Sequence, residues 1–301
     1  MSSEKPLALK GIFPPIPTPF TASGDVSFGN LQKNIEKWNA QPLDGYVVLG
    51  SNGEYVYLSS DERVDTIQAA RDSIPTNRLL IAGAGMESTR ETIGLSIRMA
   101  EKGADAVIVV TPNYYKAKMT STALTHHFHQ VADACPIPII IYSVPVYTGL
   151  NIPVDTVITL AEHPNIIGIK ESSNDIGKLG LMLDGVPESF HVLTGSASGF
   201  LGALAVGAVG GVMALANIAA SQLDLMLANF KRGLLSEAAS IQRRLIPANI
   251  ALTAQFGIPG LKAGMDMLGY YGGPVRSPLI PLSDAEKDDL RVILSIAEIL
   301  E

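Results

Sequence analysis

Eight short apolar runs punctuate the chain. They are GIFPPI from Gly11, GYVVLG from Gly45, RLLIAG from Arg78, DAVIVV from Asp105, PIIIYS from Pro138, IIGIK from Ile166, HVLTG from His191 and VGAVGGVMA from Val206. None alternates with polar residues, which is how parallel strands read when both faces are covered. Amphipathic segments fill the intervals. Ser59-x-x-Glu62, Ser88-x-x-Glu91 and Ser283-x-x-Glu286 fit the capping box, in which Ser and Glu satisfy each other's backbone N–H groups at a helix start. Beyond Ala214 the pattern is helical only, from Ala219 to about Gln255 and from Asp284 to Glu301. Strand–helix units followed by a helical tail predict an α/β fold: a (β/α)8 TIM barrel with a C-terminal helical extension. A doubly wound open sheet would carry a glycine-rich phosphate turn after its first strand. Here that position reads PPIPTPF. No linker or low-complexity tract interrupts the pattern. One domain is expected over 1–301, with the barrel at about 8–220 and the helices at about 221–301.

Composition narrows the function. The 301 residues are 47% apolar and carry a net charge of -7, so the chain can bury a large core and lacks the basic excess that phosphate backbones demand. No nucleic-acid partner is expected. The single cysteine, Cys135, forms no intrachain disulfide and reads as a buried thiol. The glycine-broken stretch 199–220 reads as a buried strand with flanking helices, not a membrane span. The N-terminal MSSEKPLALKG has no cationic and apolar leader. A cytoplasmic protein with no membrane association is expected.

In a barrel the chemistry sits at the C-terminal ends of the strands. Lys170 ends the sixth run. It is either a solvated strand-end cation or a desolvated amine, whose lowered pKa frees it to attack a ketone and form a Schiff base. Tyr142 closes the fifth run, either as a core-edge phenol with a wet hydroxyl or as a proton relay beside Lys170. The turn Gly50-Ser51-Asn52-Gly53 is either an ordinary βα loop or an anion nest for a carboxylate, with the Ser51 hydroxyl able to pass a proton on. Gly195-Ser196-Ala197-Ser198-Gly199 has no adjoining cation, so it reads as a close-packed wall for a small substrate and not as a phosphate cradle. His126, His127 and His129 lie in a helical segment and read as a solvated face; no metal is assigned to them. Neither a nucleophile elbow nor a Walker A loop occurs in the chain.

Taken in order, GSNGE, TPNYY, YSVPVYTG and GIKES resemble the dihydrodipicolinate synthase/N-acetylneuraminate lyase superfamily of pyruvate-dependent Schiff-base enzymes on a (β/α)8 barrel. GAVGGVMALAN, FGIPGLK and GYYGGPVRSPL draw the likeness towards 4-hydroxy-2-oxoglutarate aldolase and the aldolases of 2-keto-3-deoxy sugar acids. The resemblance implies that Lys170 forms the Schiff base and Tyr142 is the general acid/base. It implies that Ser51 is the relay hydroxyl and that Asn52 and the turn through Gly53 hold the pyruvyl carboxylate. Tyr114 is implied to enter from a neighbouring subunit of a dimer or tetramer. No cofactor or metal is implied, and the small-molecule partners are a 2-oxo acid and pyruvate. One position departs from the synthase branch, whose Pro-x-Arg-Thr-Gly arginine binds the carboxylate of the incoming aldehyde: here it is Tyr147. Substrate contacts are therefore expected from Tyr147, Gly195 and Ser196. Lys116, Lys118 and Arg276 are the cations available for a distal carboxylate.

The expected reaction is a class I retro-aldol cleavage of a 4-hydroxy-2-oxo acid, such as 2-keto-3-deoxy-L-galactonate or 4-hydroxy-2-oxoglutarate, to pyruvate and an aldehyde in carbohydrate acid catabolism. The alternatives are condensation of pyruvate with aspartate semialdehyde, as in the synthase branch, and a catalytically silent relative that only binds a 2-oxo acid.

Overall fold

The computed structural model describes Leu7 and residues 9–300. The leader positions 1–6, residue 8 at the expected barrel start and Glu301 at the expected end of the last helix lie outside the described residues. One wholly parallel sheet contains β1 (Gly11–Phe13), β2 (Pro15–Ile16), β3 (Gly45–Val48), β4 (Leu79–Gly83), β5 (Ala106–Val110), β6 (Ile139–Ser143), β7 (Ile166–Glu171), β8 (His191–Thr194) and β9 (Gly210–Val212). Its order runs β1-β9-β8-β7-β6-β5-β4-β3-β2. The first apolar run is split between β1 and β2 at Pro14, which has no N–H to donate. β1 pairs with β9 and β2 pairs with β3, so this one run closes the ring and the barrel has eight staves.

Helices α1 (Phe28–Trp38), α2 (Ser60–Arg71), α3 (Thr89–Glu101), α4 (Ser121–Ala134), α5 (Pro145–Thr148), α6 (Val154–Ala161), α7 (Ile176–Gly185) and α8 (Phe200–Ala205) connect the strands. Full capping boxes form at Ser59–Glu62 and Ser283–Glu286. At Ser88 only the half in which its hydroxyl accepts from Glu91 N is made. Past the barrel come α9 (Ala220–Lys231), α10 (Leu235–Ile250), a π-helical turn (Ala251–Gln255), α11 (Gly257–Met267) and α12 (Asp284–Ile296). The expected helix from Ala219 to Gln255 is thus broken at Gly233, whose positive φ turns the chain. The last helix stops short of its expected end. α11 was not expected, because FGIPGLK carries two glycines and a proline. Pro259 sits in its first turn, where a missing N–H costs nothing.

Two apolar layers hold the molecule together. Phe13, Val47, Ile81, Ile108, Ile140, Leu193 and Val212 plug the barrel interior. Tyr46, Val48, Leu80, Val107, Val109, Ile139, Ile141, Ile169 and Val192 face outwards under the helices. Each such side chain contributes roughly 1.5–3 kcal/mol on burial. The alternation breaks once. Ile139 pairs with Ile166 but Ile140 pairs with Gly168, leaving Ile167 as an extra residue, so Tyr142 stands opposite Lys170 and Ser143 opposite Glu171. Cys135 is buried and unpaired. No helix among the described residues is long and apolar enough to cross a membrane.

His127 departs from the expected solvated face. It is buried on α4, its Nδ1 lies 2.9 Å from Thr89 Oγ1, and burial pushes its pKa down to about 4. The reason is that α4 turns one flank towards α3.

Candidate active site

Register brings two of the candidate residues together. Tyr142 and Lys170 are strand neighbours at the C-terminal end of the barrel, and both point inward. The Lys170 side chain ends at Nζ, 4.1 Å from the centre of the Tyr142 ring. The lysine is 4% exposed, and burial alone pulls its pKa from 10.5 to about 7. Near neutral pH, then, a large fraction of this amine is uncharged and nucleophilic. Tyr142 is pushed up to about 12 by burial, opposed by the hydroxyls of Ser51 and Ser172. Its Oη lies 3.1 Å from Ser51 Oγ, so a phenol and a serine hydroxyl are joined next to the amine.

The turn that carries Ser51 is a single 3-10 turn, Ser51–Gly53, closed by Gly53 N donating to Gly50 O. Thr18 Oγ1 donates to Gly53 O at 2.6 Å and holds the turn from the β2 side. Asn52 lines the cavity, and its Nδ2 is buried with no hydrogen-bond partner. A buried donor left unmade costs about 1–3 kcal/mol, so this one is suited to an acceptor that arrives with the substrate.

The cavity has a volume of about 430 Å³. Of the residues picked out in the sequence, Lys170, Tyr142, Asn52, Tyr147, Gly195 and Ser196 line it. Ser51 reaches it through Tyr142, and Gly53 is buried behind the turn. Gly195 has a packing reason to be glycine: a Cβ there would lie 1.8 Å from Ser172 Oγ. Residues not foreseen are Pro15 from β2, Ser172 and Asn174 after β7, and Thr253 and Ala254 from the π-helical turn. The last two come from the helical tail, some eighty residues after Lys170, and the only signal in the sequence was the unusual run from Ala251 towards FGIPGLK.

Four candidates lie elsewhere. Tyr114 is 76% exposed on the loop after β5, its ring edge-on to Tyr115 and its N–H held by the Glu87 carboxylate. Lys116 and Lys118 are exposed on the same loop. Arg276, expected as a free cation, is fully engaged: its guanidinium binds Glu62 at 2.6 Å and the carbonyls of Gly24 and Tyr57. These partners, all from the first quarter of the chain, hold its guanidinium away from the cavity, whose lining does not include it. Lys170 is therefore the sole cation lining the cavity among the described residues.

Comparison with known proteins identifies the family and the fold. Residues 8–297 match the model of the Dihydrodipicolinate synthetase family. The chain is 35% identical to the 4-hydroxy-tetrahydrodipicolinate synthase of Haloarcula marismortui, over 96% of this chain and 94% of that one. It is 36% identical to the enzyme of the same name from Acidiphilium cryptum, over 92% and 94%. Among solved structures, a dihydrodipicolinate synthase of Bacillus anthracis superposes with a TM-score of 0.93 at 28% identity, covering 96% and 98% of the two chains. YagE, a prophage protein of E. coli belonging to the dihydrodipicolinic acid synthase family and solved in complex with pyruvate, gives 0.91 at 30% identity over 97% and 100%.

These relatives correct two expectations. They carry the synthase name over nearly their whole length, so the leaning towards 4-hydroxy-2-oxoglutarate and sugar-acid aldolases, and the cleavage of a 4-hydroxy-2-oxo acid built on it, are overturned. The leaning gave too much weight to three short stretches, GAVGGVMALAN, FGIPGLK and GYYGGPVRSPL, and to the single departure at Tyr147. One loop contact is worth roughly 1–3 kcal/mol of selectivity and does not by itself reassign a reaction.

Proposed function

The chain belongs to the dihydrodipicolinate synthetase family, and from that membership we propose that it condenses pyruvate with aspartate semialdehyde through a Schiff base on Lys170. The observation that carries the proposal is the buried Lys170 amine, its pKa lowered to about 7, beside the Tyr142–Ser51 hydrogen bond. The amine adds to the pyruvate ketone, and the resulting hydroxyl leaves as water once it is protonated. The Tyr142 phenol is placed to give that proton and to recover one through Ser51. Asn52 Nδ2 and the N–H groups of Ser51 and Asn52 receive the pyruvyl carboxylate, those of Gly53 and Glu54 being spent on closing the turn. Loss of a methyl proton to the relay turns the imine into an enamine, whose terminal carbon bonds to the aldehyde carbon of the acceptor. The new alkoxide takes a proton. The acceptor's own amine then attacks the imine carbon, closes the ring and releases Lys170. The imine serves as the electron sink for the carbon–carbon bond.

Tyr147 and Ser196 form the acceptor end of the cavity. A phenol in place of a guanidinium offers the acceptor carboxylate one neutral hydrogen bond instead of a charged bidentate pair. We assign Tyr114 to a second copy of the chain, where its exposed ring extends the relay across a dimer.

Pyruvate and aspartate semialdehyde, followed in a coupled assay with wild type and Lys170→Ala, test the reading. Turnover confined to wild type is expected, together with a borohydride-fixed pyruvate adduct on Lys170. An adduct without turnover would refute the acceptor. The absence of any adduct would refute the site.

A further inference from the structure

Two of the motifs end in charged residues that the chemistry above does not use: Glu54 of GSNGE and Lys262 of FGIPGLK. The fold brings them together across more than two hundred residues of sequence. Lys262 Nζ lies 2.6 Å from Glu54 Oε1, with side chains 2% and 0% exposed. The contact is a close ion pair and not an aligned hydrogen bond. The other carboxylate oxygen accepts from Arg276 N at 2.8 Å. Lys262 Nζ donates to Pro274 O at 2.8 Å and sits 4.4 Å from the centre of the Phe20 ring. Every polar partner of the pair therefore comes from the C-terminal segment, while Glu54 is joined directly to the Ser51–Gly53 turn.

Glu54 is held in the left-handed region at φ 54, which disfavours a residue with a Cβ. Its N–H closes the turn onto Ser51 O. Something outside the turn must hold this conformation, and the ion pair is in place to do so. Net stability is a poor account of it, since buried ion pairs seldom outperform apolar pairs of the same shape. What a buried carboxylate adds is direction: it must point at Lys262 and Arg276 N, and so it fixes where the turn lies.

We propose that the Glu54–Lys262 ion pair is a positioning device, by which α11 and the segment after it hold the Ser51 hydroxyl within hydrogen-bonding distance of Tyr142. The proposal rests on the Schiff-base reading but not on the identity of the acceptor. It also gives the helical tail a part in proton transfer beyond supplying Thr253 and Ala254 to the cavity wall. Lys262 is not a rival nucleophile, because its amine is committed to Glu54 and Pro274 O.

Pyruvate alone in D₂O reads the relay without any acceptor, because its methyl protons exchange with solvent through the enamine. Glu54→Gln/Lys262→Met removes both charges and keeps both shapes. The expected result is that borohydride still fixes pyruvate on Lys170, while methyl exchange slows by about 10–100-fold, the cost of a misplaced relay group. Adding Ser51→Ala should slow exchange no further than Ser51→Ala alone, since both changes act through one hydroxyl. Val131→Ala, a cavity in the core beneath α4 and away from α11, controls for lost stability and should exchange at the wild-type rate. If the double variant does not fold, Glu54→Asp, which keeps both charges but draws the carboxylate back from Lys262 and Arg276 N, is read in the same way. Wild-type exchange in the charge-free variant, or independent multiplicative losses with Ser51→Ala, overturns the proposal. A wild-type protein that forms no pyruvate adduct overturns the Schiff-base reading itself.

Discussion

Replacing Lys170 by methionine should make the protein more stable, and the gain should depend on pH. The structure sets the size. Burial lowers the lysine from 10.5 to about 7. Each factor of ten is worth roughly 1.4 kcal/mol, so confining a charged lysine here costs up to about 5 kcal/mol. The sign follows from proton counting. Between the folded and unfolded pKa values the unfolded chain holds more protons at this site than the folded one. The penalty is therefore absent above about pH 10.5, grows as pH falls towards 7, and is complete below that. Linkage gives about 5 kcal/mol at pH 6 and about 2 kcal/mol at pH 9. Methionine fills a similar volume without charge, so Lys170→Met should recover most of this energy. Urea denaturation of both proteins at pH 6 and pH 9 measures it directly. A variant no more stable than wild type at pH 6, or a difference that does not narrow by pH 9, would show that the amine is not held desolvated. The basis for its reactivity would then be gone.

Other changes separate the parts of the site. Tyr142→Phe should leave pyruvate fixation by borohydride detectable while kcat falls about 10²–10⁴-fold, the usual worth of a positioned acid/base; an unchanged kcat would remove Tyr142 from the relay. Tyr147→Arg should lower KM for aspartate semialdehyde by about tenfold, through a charge-assisted pair worth about 1.5–3 kcal/mol before its ordering cost, and a KM that stays put or rises would show that the acceptor carboxylate lies elsewhere. Arg276→Ala should lower the urea midpoint by breaking the clamp onto Glu62, Gly24 and Tyr57, with KM for pyruvate held within about twofold of wild type; a large change in that KM alone would return Arg276 to the substrate.

The strands were legible because parallel strands covered on both faces leave unbroken apolar runs, and the helix starts at Ser59 and Ser283 because a capping box is a local contract between residues three apart. Lys170 and Tyr142 could be picked out because each ends a run, which in a barrel means the reactive rim. Less local features were not legible. α11 hid behind Gly257, Pro259 and Gly260, since its helical state is imposed by packing against its neighbours and not by propensity. His127 read like the exposed His126 beside it, because its burial comes from α3 across the interface and not from its own helix. Arg276 looked free because its partners, Gly24, Tyr57 and Glu62, lie more than two hundred residues away. The reaction was misjudged for a related reason: it was read from three short stretches and the contact at Tyr147, whereas likeness to the synthases extends along the whole chain.

The extra residue in β7 makes reactivity a matter of parity. Ile166 and Ile169 both face the helices, which an unbroken strand cannot arrange for residues three apart. Looping out Ile167 resets odd and even, so that Lys170 enters the barrel and Glu171 turns outward to meet Lys178 at 2.6 Å. If the strand paired without that loop, Tyr142 would face Ile169, the amine would be exiled among the helices and a carboxylate would take its place at the rim. Shortening the chain by one residue at 167 would preserve this arrangement, whereas losing one residue between Gly168 and Lys170 would invert it. Evolutionary tinkering with this strand is therefore safe at one address and fatal a step away.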